Sequence, residues 1–445
     1  MFDKDFIWGC ATASYQIEGS IDADGKEESI WDRFTKIEGN IVDGSDGSIV
    51  CDSYKKFMDD VRILKNLNVN SYRFSISWSR VIDKNNKPNL KGLEYYTNLC
   101  KELKKNGIRP FVTLYHWDMP AWLDDLGGFL SDNISEYFKH YTDVVTKALD
   151  GLVSDYITIN EPQCIMQLGH RLCVHAPGKK YDDKDMLHAI HNLLLCHGKA
   201  VSVIRNNVKN STIGIAPCSR PMVPVNDDKT LYEKCYNKYF ELKRDFEYPN
   251  LVAIYSDPIF LGDYPKEYYE EFKDILPNIK KGDLELISQP IDYIYQNIYS
   301  GNYYSLKNNE LVKEPFYFGY PEGNIDWLQV VPESLYYAPK YLYERYKKPI
   351  IISENGFCNN DTVSLDGKVH DPERIDYVKR YIKELEKVSK EIPIKGYFYW
   401  SLFDNFEWNS GLSKRFGLVY IDYRTGKRIE KDSYYEYKKI IEGIL

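Results

Sequence analysis

Short apolar runs alternate with longer stretches of helical period along the chain. The eight runs span 6–14, 71–77, 109–114, 156–160, 213–217, 291–297, 350–353 and 395–400. Between them, apolar residues recur at i, i+3, i+4 and i+7 over 54–67, 134–148, 187–204 and 375–385, as expected of amphipathic helices. The helix expected after Pro217 has the weakest pattern, because proline and aspartate interrupt it.

Eight buried strands, each followed by a helix or a long loop, predict an α/β fold of the (β/α)8 TIM-barrel type, with the active site at the C-terminal ends of the strands. No internal repeat, flexible linker or shift in composition marks a boundary. We therefore expect residues 1–445 to form a single domain.

The carboxyl ends of these strands are rich in groups that bind hydroxyls. Glu161 and Glu354 each follow an apolar run directly, and Pro162 and Gly356 mark the breaks into loops. The third and eighth ends add further side chains: His116, Trp117, Asp118, Trp400, Asp404, Asn405, Glu407 and Trp408. Amides and carboxylates bind hydroxyls while indole faces cover C–H faces, so the mixture suits a polyhydroxylated ring.

Composition narrows the class of partner and the compartment. The 58 Lys and Arg against 66 Asp and Glu give a net charge of −8, which argues against nucleic acid or an anionic membrane as partner. The nine cysteines are odd in number and form no CxxC pair, which favours reduced thiols and a cytoplasmic location. The acidic start of the chain has no signal-peptide pattern, and no apolar run reaches the roughly 20 residues of a membrane span.

Several segments together resemble glycoside hydrolase family 1, the retaining glycosidases of β-glucosidase type. They are 6–19 (FIWGCATASYQIEG), 72–78 (YRFSISW), 115–118 (YHWD), 158–162 (TINEP), 175–178 (HAPG), 353–356 (SENG), 400–408 (WSLFDNFEW) and 414–422 (KRFGLVYID). Each is weak alone, but their joint occurrence in this order, at strand ends, is specific. The resemblance covers nearly the whole chain.

The resemblance implies two catalytic carboxyl groups. Glu161 is then the acid/base and Glu354 the nucleophile of a double displacement through a covalent glycosyl-enzyme. Arg73 and Tyr299 match the residues that contact the nucleophile, and Asn297 is expected to support Tyr299 and Glu354. Glu161 should have a raised pKa, whereas Glu354 should stay ionised.

The same resemblance implies a site for the nonreducing sugar. Hydroxyl ligands are expected at Gln16, His116, Asn160, Glu407 and Trp408. Trp400 matches a platform under the ring, Trp117 and Phe416 its walls, and Trp327 an aromatic at the leaving-group side. The implied substrates are β-D-glucosides or short oligosaccharides, with β-galactosides and β-fucosides as further candidates. Neither a cofactor nor a metal is implied, because His188, His191 and His197 lack the pattern that would complete a site; a homo-oligomer is left open.

Two rival functions remain at this stage. A 6-phospho-β-glucosidase of the same family needs donors and positive charge around a phosphate; Lys414 favours it, whereas Glu407 and Phe416 disfavour it. A non-catalytic glycoside-binding barrel would have lost Glu161 or Glu354, and both are present.

The leaving-group side departs from the usual family pattern. Ile298 replaces an aromatic residue or Asn, and Cys173 stands where Gly is common. Gln163, Cys164, His170 and Cys173 are expected near this part of the mouth. We therefore expect the enzyme to rank leaving groups differently from a typical cellobiase.

Overall fold

Eight parallel strands close into a barrel in which each strand pairs with its neighbours in chain order. The computed structural model describes residues 2–48, 50–242, 244 and 252–444. The barrel strands are Ile7–Ala11, Ser71–Ser75, Arg109–Tyr115, Asp155–Asn160, Thr212–Ala216, Tyr293–Asn297, Ile350–Asn355 and Ile394–Trp400. Strand one pairs with strand two through Cys10 and Tyr72 and with strand eight through Cys10 and Tyr399. The predicted (β/α)8 barrel is therefore confirmed, while the single domain over 1–445 stays a prediction.

Strand seven runs further than its apolar pattern suggested. It ends at Asn355, so Glu354 lies inside the strand rather than directly after it. Glu354 pairs with Asn297 of strand six, and the pairing shifts register between Ile352 and Glu354. Such an irregularity re-aims a side chain, and the hydrogen bonds to Asn297 extend the strand past its last apolar residue.

The four helices predicted from their periodicity are confirmed as Ser53–Leu67, Ile134–Ala148, Asp183–Asn207 and Pro372–Ser389. The other α-helices are Ser14–Ile17, Ile30–Phe34, Trp78–Val81, Leu90–Lys105, Ala121–Asp125, Pro162–Met166, Lys229–Tyr239, Val252–Phe260, Lys266–Glu271, Asp283–Ile287, Ser334–Tyr346 and Asp432–Ile441. Gly128–Leu130 and Trp408–Ser413 are 3₁₀ turns, and Gln167–Arg171 is a π turn. No helix in the described ranges combines the length and apolar character that crossing a membrane requires.

Two small sheets flank the barrel and fix loops at its mouth. Met222–Pro224, Asn302–Lys307 and Glu310–Lys313 form one, and Val419–Asp422 and Lys427–Glu430 form the other as a hairpin. The backbone N–H of Val419 donates to the carbonyl of Leu402 (2.9 Å). This hydrogen bond joins the two ends of the loop between strand eight and the hairpin.

Candidate active site

The two predicted catalytic glutamates are held by different kinds of backbone. Glu354 belongs to strand seven, whereas Glu161 follows strand four and caps the short helix Pro162–Met166. The backbone N–H of Glu161 donates to the carbonyl of Ala216 (2.7 Å), and its φ of 45° is left-handed. Trp117 and Trp408 also have positive φ. Such strained non-glycine backbone collects at functional sites.

Glu354 accepts a hydrogen bond on each carboxyl oxygen. Arg73 donates to Oε1 through Nη1 (2.7 Å), and the Tyr299 hydroxyl donates to Oε2 (2.7 Å). Both groups stabilise the ionised carboxylate. Burial raises the pKa of Glu354, and Arg73 and Tyr299 oppose that rise.

Glu161 has weaker support for its ionised form. Asn297 donates to its Oε1 (2.8 Å), and the Cys164 thiol also hydrogen-bonds it. Burial, followed by the charge of Glu354, raises the pKa of Glu161 to about 7. A carboxyl group in this range holds its proton near neutral pH, as a general acid must.

Asn297 contacts both glutamates. Its amide donates to Glu161 Oε1 (2.8 Å) and to Asn160 Oδ1 (3.0 Å), and a hydrogen bond from Asn297 also lowers the pKa of Glu354. Its Oδ1 accepts from the Ser353 hydroxyl (2.6 Å). The contact with Glu354 agrees with the expected support of the nucleophile, and the contact with the acid is an addition to it.

A chain of hydrogen bonds sets the orientation of His116. The Asn160 Oδ1 accepts from Arg73 Nη2 (2.6 Å), so its amide nitrogen points to His116 Nε2 (3.1 Å) and donates. His116 then carries its proton on Nδ1. That buried Nδ1 has no partner among the described residues. Burial, with Arg73 nearby, holds the pKa of His116 well below its usual value, so the ring offers a neutral N–H donor.

A cavity of about 370 Å³ opens above these groups. Its lining includes eleven of the predicted residues: His116, Trp117, Asn160, Glu161, Tyr299, Trp327, Glu354, Trp400, Glu407, Trp408 and Phe416. Arg73 and Asn297 are outside the lining but hydrogen-bond the two glutamates. Gln16 is buried and outside the lining as well; its amide donates to Phe406 O (2.7 Å), and its Oε1 has no partner in the described ranges.

The aromatic side chains form two groups around the cavity. Trp117 packs on Trp408 at 4.5 Å between ring centroids. In the second group Trp327 stacks on Phe416 at 6.2 Å between ring centroids. Among the described aromatic side chains of the lining, only Trp327 is exposed (39%). Glu407 lies among them with Oε2 unpaired within the described part of the chain, and burial raises its pKa to about 8.

The position of Trp400 depends on a glycine. A Cβ at Gly356 would meet the Trp400 carbonyl oxygen at 1.7 Å. Only glycine lets the end of strand seven approach the end of strand eight this closely. This contact explains why Gly follows Glu354 and Asn355.

The cavity has further lining residues that sequence reasoning did not select: Leu168, Val174, His175, Ile325, Asn409 and Ser410. His175 lies in the quoted 175–178 segment, which was a usable signal; the others come from loops without a pattern. Of the four residues expected near the leaving-group mouth, Cys164 lines the cavity. Gln163 instead donates to the Cys218 carbonyl (3.2 Å), and His170 stacks on Tyr181.

A (β/α)8 barrel with two differently hydrogen-bonded carboxyl groups in an aromatic cavity is the arrangement of an O-glycoside hydrolase. The sequence profile described as glycosyl hydrolase family 1 matches residues 1–443, and the chain belongs to that family. It is 40% identical to a β-glucosidase A of Thermotoga maritima over 99% of this chain and 98% of that protein. It is also 40% identical to a β-glucosidase A of Acetivibrio thermocellus, with the same coverage. The structure of a Thermotoga maritima β-glucosidase in complex with glucoimidazole superposes with a TM-score of 0.89 at 39% identity, covering 99% of this chain and 98% of that one.

Proposed function

We propose that this protein is a retaining β-glucosidase that removes terminal nonreducing β-D-glucosyl residues from β-glucosides or short oligosaccharides. The observation that carries the proposal is the unequal support of the two glutamates. Glu354 accepts from Arg73 and Tyr299, whereas Glu161 has a pKa raised to about 7. The names of the relatives, including one described with glucoimidazole, support a glucoside substrate.

The reaction proceeds in two steps. Glu354 attacks the anomeric carbon while Glu161 gives its proton to the departing glycosidic oxygen, which leaves a glucosyl ester on Glu354 and a free alcohol. Glu161, now ionised, takes a proton from water. The resulting hydroxide equivalent displaces Glu354, releasing glucose and returning both side chains to their starting protonation.

The sugar contacts follow from unpaired polar atoms. His116 Nδ1 is a donor, and Glu407 Oε2 belongs to a carboxyl group that can accept or, when protonated, donate. Both atoms lack partners in the described ranges and belong to lining residues. A pyranose ring between the indoles would supply hydroxyls to both. Asn160 keeps one amide hydrogen for the 2-hydroxyl, because its oxygen is already taken by Arg73.

The rival 6-phospho activity has little support. No lysine or arginine is among the cavity-lining residues of the described chain. Glu407 and Phe416 stand instead where a phosphate needs positive charge or donors. Lys414 is half-buried and outside the lining.

Two measurements test this proposal. Initial rates on 4-nitrophenyl β-D-glucoside and its 6-phosphate, with Glu354→Gln protein as the blank, should show turnover of the plain glucoside. Faster turnover of the 6-phosphate would contradict the proposed contacts of the sugar site. A 2-deoxy-2-fluoro-glucoside with a good leaving group should label Glu354 covalently, and a label on another residue would refute its role.

A further inference from the structure

Two cysteines, one on a short helix and one after strand five, meet beside the proposed acid. The sulfurs of Cys164 and Cys218 are 3.7 Å apart although the residues are 54 positions apart in sequence. One carboxyl oxygen of Glu161 completes a group in which all three atoms lie within 4.8 Å of one another. Within the described ranges, it is the one group of three His, Cys, Asp or Glu side chains whose ligand atoms lie close enough together to hold a metal ion.

We propose that Glu161, Cys164 and Cys218 form a binding site for a thiol-preferring divalent cation such as Zn²⁺, and that the bound cation inhibits the enzyme by occupying its acid/base. The inhibition rests on the proposed role of Glu161. The cation site itself rests on geometry alone.

The distance between the two sulfurs matches a tetrahedral zinc ion. Two sulfurs bound to one tetrahedral Zn²⁺ at about 2.3 Å each lie about 3.8 Å apart, and here they lie 3.7 Å apart. Cysteine sulfur and carboxylate oxygen are both ordinary zinc ligands. The cation therefore needs the sulfurs to turn toward it but not to move apart.

The three ligands sit on backbone that is already fixed. Glu161 caps the helix Pro162–Met166, on which Cys164 lies. Cys218 follows strand five and bridges to Asn297 of strand six, and Gln163 accepts from its N–H (3.4 Å) while donating to its carbonyl (3.2 Å). Because the backbone of the three ligands is already ordered, cation binding costs little conformational entropy.

The cation has an entry route through the active-site cavity. Cys164 and Glu161 both line that cavity, and Cys218 is buried next to Cys164, outside the lining. Three protein ligands leave one tetrahedral position for water. Binding displaces the two thiol protons to solvent, and the cation compensates the two thiolate charges that form.

Occupation of the site would block both steps of the proposed reaction. A carboxylate oxygen bonded to Zn²⁺ can neither deliver a proton to the glycosidic oxygen nor accept one from water. Asn297 also holds this carboxyl group through Oε1 (2.8 Å), so the group cannot easily turn away. Magnesium prefers oxygen ligands in an octahedron and should not compete.

The test uses the full-length protein, reduced with a phosphine and freed of metal. Equilibrium dialysis against Zn²⁺ should find one bound equivalent, accompanied by loss of glucosidase activity that a chelator restores; Mg²⁺ should do neither. Cys164→Ala, Cys218→Ala and Glu161→Gln should each weaken Zn²⁺ binding by about tenfold or more. Cys235→Ala, which alters another buried cysteine outside the cluster, should bind like the unaltered protein.

Co²⁺ provides a second readout that needs no variant. Bound to the unaltered protein, it should develop sulfur-to-cobalt charge-transfer absorption in the near ultraviolet. Absence of that absorption, or Zn²⁺ binding that is unaffected by Cys218→Ala, would overturn the site. Binding that persists undiminished in Glu161→Gln would remove Glu161 from it. If the cation binds as described but the metal-free protein fails to hydrolyse any glucoside, the proposed function fails and the cation site stands.

Discussion

The hydroxyl of Tyr299 can be removed with little disturbance of its surroundings. It donates to Glu354 Oε2 (2.7 Å). The backbone carbonyl of Tyr299 is held separately by the hydroxyls of Tyr377 (2.7 Å) and Tyr381 (2.8 Å), and its ring packs against Trp327 at 5.4 Å. Tyr299→Phe should therefore delete one hydrogen bond and leave the ring in place.

The size and sign of the effect follow from that bond. The hydroxyl stabilises the ionised form of Glu354, so its loss raises the pKa of Glu354 further. A hydrogen bond to a charged group contributes about 1.5–3 kcal/mol, and a tenfold change in proton affinity corresponds to about 1.4 kcal/mol. The acid limb of kcat/KM should therefore move to higher pH by about 1–2 pH units, while the rates of the two proteins converge on its alkaline side.

Tyr295→Phe is the matched control. Tyr295 lies in strand six, four residues before Tyr299, and is fully buried, but its hydroxyl has no partner among the described residues. Profiles of kcat/KM against pH, measured on 4-nitrophenyl β-D-glucoside, should move for Tyr299→Phe and not for Tyr295→Phe. An acid limb that stays in place in Tyr299→Phe, or moves equally in both variants, would refute the reasoning.

Three further predictions concern the acid and the buried charges. Glu161→Gln should reduce turnover of alkyl glucosides far more than that of nitrophenyl glucosides, whose leaving group scarcely needs a proton; equal losses would contradict the acid role. Because Glu161 must carry its proton and has a pKa of about 7, kcat/KM for an alkyl glucoside should fall as pH rises through about 7, and a flat profile to pH 9 would contradict this assignment. Lys431 is wholly buried between Asp361 and Asp404, so Lys431→Ala should lower the free energy of unfolding by about 3–5 kcal/mol in urea titration. The exposed Lys439→Ala should cost at most about 1 kcal/mol, and similar losses for the two would contradict the buried-charge argument.

The barrel could be predicted because its strands are buried on both faces. Every residue of strands one and seven is buried, and strand one and the start of strand seven are short continuous apolar runs without alternation. The chemistry then follows at the strand ends, where polar residues interrupt those runs. Glu161 was located in this way. The same pattern points to Glu354. It does not predict that strand seven continues to Asn355, because that extension depends on pairing with strand six.

Long-range contacts could not be predicted. The meeting of Cys164 and Cys218 depends on the helix Pro162–Met166, on Gln163 and on the exit of strand five, and no local pattern encodes that combination. The same applies to the hydrogen bond from Asn297 to Glu161, which joins the ends of strands six and four. Sequence resemblance supplied residue identities at the mouth, whereas the direction of each hydrogen bond required the fold.

The two glutamates differ because of where the barrel holds them. Glu354, within a strand, faces Arg73 from across the barrel, and that arginine also holds Asn160, which fixes the tautomer of His116. Glu161, beyond its strand end, hydrogen-bonds an amide and a thiol, neither of which carries positive charge. Arg73 donates to the nucleophile and to the sugar-facing amide, and not to Glu161. Burial and the charge of Glu354 therefore raise the pKa of Glu161 further than Asn297, Cys164 and the more distant charge of Arg73 lower it.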